Sequence, residues 1–347
     1  MTTMTNTTEN KPSLSALLIG KFGVLAGLFI LWIVFFFLSD VYLSGGNIRN
    51  ILVQSGTNAI IAAGMTFVIL SAGIDLSVGS IVALSSVLGA SVMKSTDNVM
   101  LGVGVALGVG IVLGLFNGLI IAYLDFPPFI VTLSTMWLYR GSAYVFTGGQ
   151  AIVNLPEGNM FLALKNFLAV PVPGYITDPL TEATHFGIKW WPIPLIVWLM
   201  VLVYVVCYIV LGRMTFGRKV YACGDNAESA RLSGINVKAV RAIVFTISGF
   251  LAALGGVILM SRLNSGQPVA GQSFEMMAIA AAVIGGTSLT KGGVGSIGGT
   301  LIGAVFIASL LNGLVIKNVS AFWQQVVMGI VVLLAIAIDR YRKALSS

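Results

Sequence analysis

Asp75 stands in the run Gly64-Met65-Thr66-Phe67-Val68-Ile69-Leu70-Ser71-Ala72-Gly73-Ile74-Asp75-Leu76-Ser77-Val78-Gly79-Ser80. There one carboxylate, with Ser71, Ser77 and Ser80 and Gly64, Gly73 and Gly79, separates two stretches apolar enough to lie in a bilayer. A charge at such a depth is expensive. It is kept for function, at a helix end, or in a wet cavity. Asp75 precedes an apolar segment, so it can cap that helix by accepting backbone N–H bonds. Ser77 and Ser80 can satisfy the remaining free donors. The same groups can line a solute path. The two roles are compatible, because irregular backbone at membrane depth must be buried in protein or face a cavity.

Polar groups elsewhere in apolar segments need a reason too, so Asn58, Thr66 and Asn117 join Asp75 and Ser77 as path candidates. Arg140 follows Trp137 and Tyr139 inside a hydrophobic segment. It marks a packing or path position, or snorkels along its helix. No two carboxylates share helical spacing within a span, so paired-carboxylate catalysis and a proton relay lack parts. His185 is the one histidine and falls in a long polar loop, where a surface role is expected. Cys207 lies in an apolar run and Cys223 in a basic loop, which suggests neither a disulfide framework nor a metal site. No metal or cofactor is expected on this chain.

A second motif runs from Gly217 to Ile235. Asp225 or Asn226 can serve as N-cap, Glu228 sits in the first turn where the helix dipole favours an anion, and Gly234 is placed to stop the helix. The pattern predicts a solvent-facing helix of about two turns, a plain connector or a docking element. A third motif, Gly285 to Gly299, contains Gly293, Gly295 and Gly298 in G-x-G-x-x-G spacing. Its neighbours are apolar segments and positions 315–320 hold no acid, so the dinucleotide context is missing. Lys291 lacks the following Ser or Thr of a P-loop, and no P-loop occurs in the chain. If ATP drives this protein, another polypeptide binds it.

The elements that must position these residues are membrane helices. The 347 residues are 57% hydrophobic and only 9% charged, with mean hydropathy +0.98. Soluble domains carry roughly 25% charged residues, so this is an all-α polytopic membrane protein. Ten apolar segments fall at about 17–38, 49–71, 75–93, 99–123, 127–147, 192–211, 239–261, 276–290, 298–316 and 321–338. Some are short or broken by glycine, which gives eight to ten crossings of about 20 residues each. The first has no cleavage-site pattern and reads as a retained span.

Basic residues set the orientation. Arg213, Arg218, Lys219, Arg231, Lys238 and Arg241 cluster around 212–238, and Arg340, Arg342 and Lys343 in the tail 339–347. Both regions are expected in the cytoplasm, with residues 1–16 a disordered cytoplasmic N-terminus. The net charge of +7 mostly reflects these loops and not a nucleic-acid surface. Ten spans then put loop 148–191 outside, with Trp190 and Trp191 as an interfacial anchor. Glu275 and the preceding loop from Arg262 could touch an external partner. Gly110, Gly114 and Gly118 line one helical face, for packing within one subunit or between subunits. Val78-Gly79-Ser80-Ile81 returns as Val294-Gly295-Ser296-Ile297, a short echo of the kind internal repeats leave.

Several of these stretches resemble the membrane subunit of ribose-type ATP-binding-cassette sugar importers. They are Gly64–Thr66 through Gly73–Ser80, Ala222 to Val237, Ser261 to Pro268 and Ala278 to Leu289. The likeness covers about 45–340 in the same order. Glu228-Ser229-Ala230 followed by Gly234 is similar to the Glu-Ala-Ala-x-x-x-Gly loop through which importer permeases meet their ATPase, with Ser229 in place of an alanine and no downstream Ile-x-Leu-Pro. Asp225 stands where the family usually has a second glycine.

The resemblance implies a single transmembrane domain of the vitamin B12-importer type, paired with a second permease copy, identical or similar. It implies an external sugar-binding protein and two cytoplasmic ATPase subunits that hold ATP and Mg. Asp225, Asn226, Glu228, Ala230, Arg231 and Gly234 would then couple the chain to ATP hydrolysis. The alternatives are an ion-coupled secondary transporter, for which Asp75 alone is placed to serve, and an importer permease for a nucleoside, a branched-chain amino acid or a furanone signal. A membrane enzyme would need a catalytic cluster in one span, and none is visible.

Overall fold

The computed structural model describes residues 14–156, 167–177 and 184–346. Residues 1–13, and with them most of the stretch expected to be disordered, lie outside that set. So do Glu157, Lys165, Asp178, Pro179 and Glu182 of the long loop. Every one of the ten apolar segments contains a helix. They are α1 (Leu14–Leu38), α2 (Gly45–Leu70), α3 (Val78–Thr96), α4 (Val99–Tyr123), α5 (Pro128–Thr147), α6 (Leu195–Gly212), α9 (Val237–Leu263), α10 (Phe274–Ile284), α11 (Ile297–Ile316) and α12 (Ala321–Ser346). Two short helices, α7 (Thr215–Asp225) and α8 (Ala227–Leu232), fill the basic loop. Among the described residues, α2, α3, α4, α6, α9 and α11 are long and apolar enough to cross a membrane. α12 continues through 339–346.

α2 is the central helix. From Ser55 to Leu70 every residue is buried, with α9, α11, α10, α6 and α7 arranged around it. It therefore carries Thr57, Asn58 and Thr66 where no lipid reaches them. α4 is the opposite case: Leu101, Ile111, Val112, Leu115, Phe116 and Leu119 are exposed on its outer side. Gly110, Gly114 and Gly118 face inward. A Cβ on Gly114 would lie 3.0 Å from Gly249 Cα and 3.1 Å from Thr246 Cα, and one on Gly118 would lie 2.8 Å from Ala242 Cα. The stripe thus packs α4 on α9 within one chain, as small residues allow where backbones must approach. Gly104 and Gly108 meet nothing.

α1 is held mainly by α11. Trp32 Nε1 donates to Ser309 Oγ at 3.0 Å and Tyr42 O–H donates to the Ser309 carbonyl at 2.9 Å. Asn47 Nδ2 reaches Asn312 Oδ1 at 2.8 Å just beyond.

The segment expected at 276–290 is not one spanning helix. α10 has 11 residues, about 16 Å of helix, which is too short to cross. The chain before it runs along α3 through a two-residue strand followed by turns. Gly266 packs against Ser86 and Ala90 of α3, and Gly271 against Gly79 and Val82 further along. Loop 264–273 is accordingly drawn into the protein, with Ser265, Pro268 and Gly271 buried and Gln272 exposed. This corrects the expectation of a free outer loop.

The chain near Asp75 behaves similarly. α2 ends at Leu70, residues 71–77 turn back between helices, and α3 starts beside α9. The N-termini of α3 and α10 meet there. The echo Val294–Ile297 likewise stands before an apolar helix, where Ser296 caps α11 by accepting from Gly299 N–H at 3.2 Å.

Strand structure is confined to the loops. β1 (Ile152–Val153) pairs antiparallel with β4 (Ser265–Gly266), and β2 (Phe167–Thr177) with β3 (Thr184–Pro194), Phe167 opposite Pro194. The expectation for loop 148–191 included no such hairpin. Trp190 and Trp191 stand in β3, opposite Pro171 and Val170. Their side chains, and that of His185, fall outside the described residues.

Candidate functional sites

The break before α3 folds around Asp75, which is fully buried. Its Oδ1 accepts from Ser77 N–H at 3.0 Å and from Ser77 O–H at 2.6 Å, and its Oδ2 accepts from Ser248 O–H at 2.8 Å. Ser77 Oγ in turn accepts from Asn117 Nδ2 at 2.8 Å, and Tyr139 O–H donates to Asn117 Oδ1 at 2.9 Å. Five side chains from the break, α4, α5 and α9 thus form one chain of hydrogen bonds. Thr132 O–H closes the edge by donating to the Ile74 carbonyl at 3.1 Å.

The capping expectation needs correction. Ser77 holds the N-cap position of α3 without a side-chain cap bond, and Asp75 closes a local turn onto Ser77 instead. Three donors thus converge on the two oxygens of the buried carboxyl group and satisfy them.

Of the five path candidates, the structure brings together Asp75, Ser77 and Asn117. Thr66 is separate: its hydroxyl donates to the Ala62 carbonyl and pairs with Thr300 Oγ1 at 2.8 Å, tying α2 to α11. Asn58 stands apart again. Its amide nitrogen and oxygen, with the neighbouring Thr57 hydroxyl, are buried without a hydrogen-bond partner. Such groups cost about 1–3 kcal/mol each unless water or a ligand reaches them.

Arg140 and Glu275 lie where the N-termini of α3 and α10 meet. Arg140 Nη2 donates to the Gly79 carbonyl at 2.9 Å, and Nη1 donates to the carbonyls of Pro268 at 2.9 Å and Ala270 at 2.5 Å. One guanidinium thus joins α5, the start of α3 and the re-entrant loop. Snorkelling is not its role. Glu275 brings its carboxylate against Gly79, in the first turn of α3, where the helix dipole favours an anion. Glu275 and Ser248 were missed as site residues. Ser248 carried the signal, a hydroxyl within an apolar span. Glu275 gave none, because nothing in the sequence shows that its loop turns inward.

The second site is the α7–α8 pair. α7 buries Gly217, Val220 and Cys223 on one face and exposes Arg218 and Lys219 on the other. Asp225 ends α7. Asn226 is the N-cap of α8, its side chain accepting from Ser229 N–H at 2.9 Å. Glu228 and Arg231 pair in the open, through Arg231 Nη2 at 2.6 Å and Nε at 3.0 Å. The Arg231 hydrogen bond holds the Glu228 carboxyl below its ordinary range.

Ala230 is buried and anchors the helix. Gly234 N–H donates to the Arg231 carbonyl and Ile235 N–H to that of Ala230, both at 3.0 Å, with Gly234 at φ +82°. This is a Schellman stop, which wants glycine at the left-handed position. Leu232 is left 75% exposed between them. The short, capped helix thus presents an ion pair and one bare leucine at the surface.

Apolar helices packed on an apolar core that holds a buried polar network define a multi-pass membrane protein. Residues 47–336 match the family described as branched-chain amino acid transport system / permease component, and the chain belongs to that family. Its relatives include the ribose import permease protein RbsC of Bacillus subtilis, 45% identical over 93% of this chain and 94% of its own. The Escherichia coli K12 RbsC is 39% identical over 88% and 89%. The xylose transport system permease protein XylH of the same organism is 36% identical over 95% and 94%. No solved structure matches the chain.

Proposed function

We propose that this chain is the permease subunit of an ATP-binding-cassette importer for a monosaccharide, with pentoses as the first candidates. The observation that carries the reading is near full-length identity to ribose and xylose permeases, joined to a capped, surface-exposed α8 of the kind an ATPase can grip. The family description names amino acids, but the relatives cited above carry sugar names.

The membrane is the bacterial inner or plasma membrane, with both termini and the α7–α8 pair in the cytoplasm, on the side where basic residues collect. A second permease copy completes the path, an external binding protein delivers the sugar, and two ATPase subunits bind ATP and Mg. Asp225, Asn226, Glu228, Ala230, Arg231 and Gly234 form the contact with the ATPase. The chain itself makes and breaks no bonds. The Asp75, Ser77 and Asn117 network fixes the bend from which α3 starts. Thr66 and Asn58 supply polar groups on the central helix.

The test is a mild-detergent pull-down of the chain from its native membrane, with uptake measured in vesicles. Co-purification of a P-loop ATPase and a secreted sugar-binding protein, with uptake that needs ATP, supports the reading. Recovery of the chain alone, with uptake that follows a proton or sodium gradient, overturns it.

A further inference from the structure

We infer that Gly224, Gly292 and Gly293 form a backbone joint that carries movement of α7 and α8 to the ends of α2 and α11. The inference rests on the importer reading, since it concerns how the ATPase contact acts on the membrane helices.

Three segments distant in sequence meet here with no side chain between them. Gly293 N–H donates to the carbonyl of Leu70, the last residue of α2, at 2.9 Å. Gly224, one residue before the end of α7, presses on both partners: a Cβ there would collide with the Leu70 carbonyl oxygen and lie 2.6 Å from Gly293 N. A Cβ on Gly292 would strike the Gly224 carbonyl and lie 2.8 Å from Ala72 Cβ. Gly293 has φ +72°, and its added Cβ would sit 2.7 Å from the Tyr221 carbonyl and 2.9 Å from Asp225 N. Two side-chain contacts flank the joint. Tyr221 O–H donates to the Gly295 carbonyl at 3.2 Å, and Lys291 Nζ lies 3.6 Å from Asp225 Oδ1.

Backbone pressed on backbone has no rotamer to absorb a displacement, and close-packed interiors transmit strain. Movement of α7 therefore reaches two places. Through Leu70 and Ala72 it reaches the turn that leads to Asp75. Ala72 N–H and Gly73 N–H are bonded back to Ile69 and Val68, so that turn moves as a unit. Through Gly293 to Ser296 it reaches the cap of α11. The glycine cluster that resembles a nucleotide loop thus has a mechanical use.

The experiment compares sugar imported per ATP hydrolysed in proteoliposomes of the whole complex, for wild type, Gly224→Ala and Tyr221→Phe. The joint predicts that Gly224→Ala keeps ATP hydrolysis within about twofold of wild type and loses at least tenfold in uptake. Tyr221→Phe, which removes only the bond to Gly295, loses uptake about threefold. If Gly224→Ala does not assemble, Tyr221→Phe decides alone. A ratio equal to wild type in the assembled variants, or hydrolysis and uptake falling in parallel, overturns the joint and leaves the importer reading intact. A wild-type complex that imports no sugar on ATP overturns both.

Discussion

Ser248 donates a 2.8 Å hydrogen bond to Asp75 across 173 residues of chain, and so fixes the break before α3 to the side of α9. The alcohol is what α9 contributes to an otherwise local turn. Removing the carboxylate would strand the Ser77 N–H and two hydroxyls in a water-poor interior, at a total cost of roughly 2–5 kcal/mol. Asp75→Asn keeps an acceptor and should cost far less. Thermal unfolding in detergent should rank wild type and Asp75→Asn well above Asp75→Ala. An alanine variant as stable as wild type would remove the structural role from Asp75.

Arg140 should behave as a clasp. Its fork reaches three carbonyls on two segments, which a lysine ammonium cannot reproduce. Bonds from a charged donor contribute about 1.5–3 kcal/mol each. Arg140→Lys should lose part of that stability and Arg140→Ala most of it. The loop it holds should loosen as well. With Ser265→Cys, a buried position of the loop, as a reporter, a membrane-impermeant maleimide should label the Arg140→Ala protein at least severalfold faster. Cys207 and Cys223 are both buried and leave little background. Equal labelling rates would show that the loop is held by something else.

Gly234→Pro should uncouple transport without preventing membrane insertion. Proline cannot adopt φ +82° and lacks the N–H that reaches Arg231. The stop of α8 is lost, while no membrane helix is touched. Sugar uptake should fall at least tenfold at normal chain abundance in the membrane. Uptake at the wild-type rate would remove Gly234 from the coupling contact.

The Glu228–Arg231 pair gives a pH test. The bond lowers the Glu228 pKa, so the pair favours the α8 geometry above the ordinary carboxylate range. That contribution is lost as pH falls through the depressed value. Carboxyl-carbon NMR of Glu-labelled protein should show Glu228 titrating below the ordinary carboxylate range. Arg231→Met should return it to the ordinary range, and an unchanged midpoint in that variant would assign the shift to another cause.

Much of this was legible in the sequence. The apolar segments located the six helices long and apolar enough to cross among the described residues, because lipid imposes length and composition on each segment separately. Asn226 and Gly234 were legible for a related reason, since caps and stops are local chemistry. The Asp75 break was legible as a place, but not its partners. Ser248 and Tyr139 join Asp75 through packing between helices distant in the chain, which no window reads. The inward course of 264–273 was hidden too. Its polar residues look like an outer loop, and only burial against Gly79 and Ala90 shows otherwise. α7 was missed because its apolar face is only three residues, Gly217, Val220 and Cys223, in a basic stretch.

The fastening of α1 has a consequence for biogenesis. Trp32 finds Ser309 only 277 residues later. At about 5–20 residues per second of synthesis, α1 waits roughly 15–60 s in the bilayer before its partner emerges. During that wait Phe35, which the folded chain buries against Ala308 and Gly313, must be solvated by lipid alone. The first helix inserted is thus among the last to be docked, and damage near Ser309 would surface as a quality-control fault at the opposite end of the chain.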